Sequence, residues 1–177
     1  MATVGSSTRE ALERAIERRL RRQANARWMR FGVLAVIALA VDQITKAIVR
    51  ASIDPREQVS LFPGFDLTRV TNEGIAFGLF PGRQAAVAIL TVVALCAIAI
   101  GLAGLVGRNA WAASGAGLLV GGSVGNLIDR LSHGAVTDFL DPARWPAFNF
   151  ADVGIVCGAA LIVVGLLQDE AKDEQLA

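Results

Sequence analysis

The sequence predicts an all-α membrane protein: four transmembrane helices, with a small extracytoplasmic β platform between helices 1 and 2. Three observations lead there. Hydrophobic residues make up 54% of the 177 and charged residues only 19%. Mean hydropathy is +0.51, apolar for a soluble domain. Four stretches reach the roughly 20 mostly apolar residues that a bilayer-crossing helix needs. Between the first two lies FDLTRVTNEGIAFGLF, loosely alternating β-formers around an Asn-Glu-Gly turn, which reads as a strand or hairpin.

The elements follow in order. Residues 1–30 form a basic extension with eight Arg and three Glu. Within it Ser7-x-x-Glu10 is a capping-box pattern and opens a short helix over 7–22, either solvated or touching anionic headgroups. The first span, 31–50, is apolar but interrupted by Asp42 and Lys46. Ala38-Leu39-Ala40 resembles a signal-peptide cleavage site, yet the preceding basic region is long for such a peptide and the span continues beyond it. The second span, 85–106, carries no charge; the short turn 107–110 carries Arg108. The third, 111–130, is small and apolar, then polar at its end. The fourth, 151–168, has one acidic residue at its start and is followed by an acidic tail, 169–177. The N-terminal Arg cluster places both termini in the cytoplasm and segments 51–84 and 131–150 outside.

Small residues have a packing meaning. Gly117, Gly121 and Gly125 leave one face of the third span nearly bare, and Gly154 and Gly158 do the same in the fourth, so these two helices are expected to meet closely. Cys96 and Cys157 sit in apolar runs and read as small packing residues.

Ionisable residues within spans are costly and usually functional. Here they cluster. Asp42 and Lys46 are four apart and share a helix face; this reads first as a structural pair. Asn126, Asp129 and Arg130 share a face at the outer end of the third span, where Asp129 and Arg130 could simply tie down loops. Asn149 and Asp152 stand where the fourth begins, in positions that also suit simple capping. Asp138 lies in the connection between them, and the last three groups converge on the outer surface, with Asp42 supporting from below.

A net charge of +1 argues against nucleic-acid binding. Two Cys and one His build neither a disulfide scaffold nor a Cys/His zinc site, and no nucleophile elbow surrounds a serine. Carboxylates are the abundant resource, and two that share a proton can activate water. A transporter would step its polar groups through the membrane depth, whereas most of these cluster at one end. A purely structural bundle would tolerate their loss. The Gly-x-Gly-Asp signature of presenilin-type proteases is absent.

Five motifs, VDQITK (41–46), NEGIAF (72–77), GNLIDR (125–130), GAVTDF (134–139) and FNFAD (148–152), appear in this order. Together they make the chain similar to bacterial lipoprotein signal peptidase, signal peptidase II, across about residues 31–168. That resemblance implies an aspartic endopeptidase of the bacterial cytoplasmic membrane. It would cut diacylglyceryl-modified prolipoproteins just before the lipidated cysteine. It implies a catalytic dyad of Asp138 and Asp152; supporting residues Asn126, Asp129, Arg130, Asn149, Asp42 and Lys46; and substrate contacts at Asn72, Gly74, Ala76 and Phe77. It also implies membrane lipid as surroundings, the cyclic peptide globomycin as an inhibitor, and no metal or other cofactor. The connection from Asp138 to Asp152 is short for that family and contains Asp141, a carboxylate outside the motifs.

Overall fold

The structure is a computed structural model and describes residues 3–55, 57–73 and 84–176. Four helices run through it: α1 (Thr3–Ser52), α2 (Gln84–Arg108), α3 (Ala110–His133) and α4 (Phe150–Leu176). All four are long and apolar enough to cross a membrane. Three antiparallel strands, β1 (Gln58–Phe62), β2 (Phe65–Asn72) and β3 (Val136–Pro142), form one sheet in the order β1-β2-β3.

Three expectations change in detail. The sheet is not confined to the connection between α1 and α2: its third strand comes from the α3–α4 connection, and β2 pairs across to it from Phe65↔Pro142 to Asn72↔Val136. The 7–22 helix and the first span are one element, since the residues between them (Gln23–Ala24–Asn25–Ala26–Arg27–Trp28–Met29–Arg30) include no Gly or Pro to break it. At about 1.5 Å per residue its 50 residues reach about 75 Å, well beyond a bilayer. Similarly α4 runs on through the acidic stretch to Leu176, because Asp, Glu, Lys and Ala there do not interrupt a helix.

α3 is the central helix, packed against α4, α1 and α2. Glycine allows this, with a division of labour that spacing alone does not reveal. A Cβ on Gly117 or Gly121 would strike the backbone of α1 at Phe31 or Ala35, whereas one on Gly115 or Gly122 would strike Gly158 or Ala151 of α4. The 117–121–125 stripe therefore faces α1, and α4 is met by a different face. Val106, Ala113, Ala116, Leu119 and Ile162 form the apolar core at one end. Val49, Ile53 and Phe139 form a second core where the sheet meets the bundle.

The outward faces are apolar: Val36 and Ile37 on α1, Ile89 and Ile100 on α2, and Val156 and Leu167 on α4 are exposed. Such a surface suits lipid rather than water. Cys96 and Cys157 lie on this exposed surface rather than in the core.

Both ends of α3 are set by local chemistry. Asn109 caps its start, its side-chain oxygen accepting from the amides of Trp111 (2.8 Å) and Ala112 (3.2 Å). Gly134 ends it at φ 76°, a left-handed conformation that favours glycine, with its amide donating to the Arg130 carbonyl. The chain then enters β3 within two residues, so Asp138 is delivered beside the end of α3.

Candidate active site

The polar residues singled out in the sequence come together at the sheet end of the bundle. α1 contributes two of them, Asp42 and Lys46, and adds Arg50 on the next turn. The Asp42 and Lys46 side chains are fully buried and pair at 2.9 Å. The Lys46 ammonium also approaches Asp129 at 3.3 Å and donates to the Asn126 side-chain oxygen at 2.7 Å. One turn further, Arg50 Nη1 meets Asp129 Oδ1 at 3.3 Å and donates to Thr137 Oγ1 at 3.1 Å. Two carboxylates and two cations thus balance inside the protein, which is what tolerates their burial.

Asn126 is oriented by this cluster. Its amide oxygen faces the Lys46 cation, so its NH₂ points away and donates to Asp152 Oδ1 at 2.9 Å. Asp129 turns the other way: its Oδ2 accepts the main-chain amide of Thr137 at 3.0 Å and fixes the entry to β3.

The start of α4 forms the opposite wall. Asn149 is its N-cap, with its side-chain oxygen accepting from the Asp152 amide (3.0 Å) while Asp152 Oδ2 accepts from the Asn149 amide (3.1 Å). That is a reciprocal capping box. The capping reading of these residues is therefore correct, and so is a second role. The Asn149 NH₂ donates to Asp138 Oδ1 at 2.6 Å and to Asn126 Oδ1 at 3.2 Å. Asp42 Oδ1 accepts the amide of Ala151, placing its carboxylate at the positive end of α4. Gly125 makes room for this: a Cβ there would collide with the Asp42 carboxylate.

Asp138 is 3% exposed. Asn72, at the end of β2, donates to its Oδ2 at 3.0 Å. Burial pushes its carboxyl from the ordinary 3.8 up to about 6; the Asn72 hydrogen bond opposes this, the nearby Asp152 carboxylate adds to it, and Asn149 and Lys46 oppose it. Asp152 is half-buried. Arg130 donates to the Asn126 carbonyl (3.4 Å) and lies within electrostatic reach of Asp152, Asp138 and Asp129.

All but three of the anticipated residues therefore meet in one cluster; Gly74, Ala76 and Phe77 lie outside the described residues. Asp141 is elsewhere, paired across the sheet with Asp66. Among the described residues no group of three or more His, Cys, Asp or Glu is arranged to hold a metal ion. Three members were missed. Gln43 donates to Asp42 (3.1 Å), to the Gly125 carbonyl (3.1 Å) and to Asp129 (3.4 Å). Arg50 continues the Asp42–Lys46 spacing by one more turn, a signal that was there to read. Thr137 carried none beyond its place beside Asp138.

Residues 34–168 match the family described as Signal peptidase (SPase) II. The lipoprotein signal peptidase of Gloeobacter violaceus is 42% identical over 150 residues, covering 80% of this chain and 84% of that protein. That of Pelotomaculum thermopropionicum is 39% identical over 144 residues, covering 81% and 95%. That of Syntrophomonas wolfei is 41% identical over 150 residues, covering 84% and 100%. A solved bacterial membrane enzyme, determined by the in meso method at 2.3 Å, superposes with a TM-score of 0.69 at 30% identity, covering 79% of this chain and 88% of the other. With the family matched from the first span to the last, and the polar cluster built from the same segments, this multi-pass membrane peptidase belongs to the signal peptidase II family.

Proposed function

We propose that the chain removes signal peptides from diacylglyceryl-modified prolipoproteins, cutting before the lipidated cysteine with a water activated by Asp138 and Asp152. The observation that carries this is the double use of Asn149: its side chain donates to Asp138 and its main-chain amide to Asp152, so one residue holds both carboxylates beside each other. The family match supports the substrate class.

In this reading the two carboxyls of the dyad share one proton. The raised pKa of Asp138 favours it as the protonated member. Asp152, ionised, takes a proton from the water as oxygen attacks the scissile carbonyl. Asp138 donates a hydrogen bond to that carbonyl oxygen. Collapse of the tetrahedral intermediate breaks the C–N bond, and the proton gained by Asp152 leaves with the cysteine amine. Asn126 and Asn149 keep the carboxylates aimed, with Lys46 and Asp129 behind them.

The Arg-rich half of α1 lies at the opposite end from the sheet, which favours cytoplasmic termini and an extracytoplasmic site on the bacterial cytoplasmic membrane. Acyl chains of the substrate then lie in the bilayer, each buried CH₂ contributing about 0.8 kcal/mol to recognition. Globomycin is the expected inhibitor. Substrate contacts at Asn72, Gly74, Ala76 and Phe77 belong to the same proposal.

The test is a gel-shift assay of diacylglyceryl prolipoprotein cleavage by purified protein. Asp138→Asn and Asp152→Asn should abolish cleavage while folded, and Asp141→Asn should leave it intact. Cleavage surviving either dyad substitution refutes the mechanism; a folded wild type that cuts nothing refutes the function.

A further inference from the structure

We propose that Arg50 is a positioning residue for this peptidase: through Asp129 and Thr137 it fixes, from behind the sheet, the strand that presents Asp138. The inference rests on the reading of Asp138 as catalytic.

Side chains alternate along a strand. On one face of β3 the Asp138 carboxylate is held by Asn72 and Asn149. Its neighbour Thr137 points to the other face, where two bonds reach it from one closed ring. The Thr137 amide donates to Asp129 Oδ2 at 3.0 Å, and Thr137 Oγ1 accepts from Arg50 Nη1 at 3.1 Å. The same Nη1 closes the ring on Asp129 Oδ1 at 3.3 Å. A single bond would leave the strand free to pivot about it; two fix its rotation.

Arg50 completes the charge balance, since Lys46 is shared between Asp42 at 2.9 Å and Asp129 at 3.3 Å. Beyond charge, it adds the bond to Thr137. Its main chain contributes as well: the Arg50 carbonyl accepts from Arg69 Nη1 at 3.1 Å, and Arg69 stands on β2 three residues before Asn72. Both the strand that carries Asp138 and its neighbour β2 are therefore referenced to the last turn of α1. A cation there is also favoured by the negative end of that helix. The Arg50 side chain is 19% exposed, and it reaches Asp129 and Thr137, through which it acts by position.

The experiment uses the full chain in detergent with a diacylglyceryl prolipoprotein substrate, comparing Thr137→Val, Arg50→Gln, Arg50→Lys and the Thr137→Val/Arg50→Gln double variant. Thr137→Val removes only the acceptor at nearly constant volume and keeps the test valid if Arg50→Gln fails to fold. Small misplacement of a reacting group costs up to about a hundredfold, so kcat is expected to fall about tenfold in Thr137→Val and Arg50→Gln, with KM within about twofold. Arg50→Lys should retain more kcat than Arg50→Gln. The double variant should fall no further than the worse single one, because both remove the same bond. Wild-type kcat in folded Thr137→Val, a loss confined to KM, or multiplying losses in the double variant would overturn the inference alone. Absence of cleavage by folded wild type would overturn the peptidase reading and this inference with it.

Discussion

Replacing Lys46 by methionine removes the cation at the centre of the buried cluster while keeping most of its length. The ammonium serves Asp42 at 2.9 Å, Asp129 at 3.3 Å and the Asn126 oxygen at 2.7 Å. Without it, Asp129 retains Arg50 and the Thr137 amide, but Asp42 keeps only Gln43 and the Ala151 amide. Removing one partner of a buried ion pair costs about 3–5 kcal/mol, because the other charge stays buried. At about 2–4 °C per kcal/mol for a chain of this size, the melting temperature should drop by about 6–20 °C. Adding Asp42→Asn restores neutrality and should recover at least half of the loss. The assay is thermal unfolding in detergent, followed by fluorescence of the three tryptophans. A Lys46→Met protein within about 1 kcal/mol of wild type, or a double variant no more stable than the single, would refute the charge-balance argument.

Three further outcomes are expected. Burial raises the Asp138 carboxyl to about 6, so on the proposed mechanism kcat/KM should decline on the alkaline side as that carboxyl loses its proton. Asn72→Ala removes a bond that favours the ionised form and should move that limb to higher pH; a limb that stays or moves down contradicts the assignment. Gly122→Ala places a methyl against the Ala151 carbonyl and should cost about 1–3 kcal/mol and activity together, whereas Gly104→Ala, with open space around it, should be silent in both assays. A carboxylate dyad needs no metal, so EDTA should leave the cleavage rate unchanged; loss restored by a divalent ion would count against the mechanism.

Much of this was legible in the sequence because the clustered polar residues sit where they are chemically out of place. Asp42, Lys46 and Asp129 stand in otherwise apolar spans, and their cost announces them. Asn149 and Asp152 were readable through their cap spacing. What was not legible depends on pairings distant in sequence. β3 became a strand because β2, 66 residues earlier at Asn72, offered it an edge, and nothing local to VTDFLDP requires that. Thr137 matters only because Asp129 and Arg50 happen to face it. The glycines told of close approach but not of the partner, since a Cβ-free face serves α1 or α4 equally until the helices are placed. Helix ends ran past their expected limits at Arg22 and Gln168 because polar helix-formers end a span without ending a helix.

The double duty of Asn149 has a consequence for biosynthesis. Asp152 and the residue that steadies Asp138 both belong to α4, and α4 is made after every other element that touches the site. Until that helix is inserted and capped, a nascent chain carries one carboxylate without its companion. On the proposed mechanism, proteolytic competence arrives with the insertion of α4, in the same few hydrogen bonds that begin the helix, so a chain lacking that helix has no assembled dyad with which to cut its neighbours.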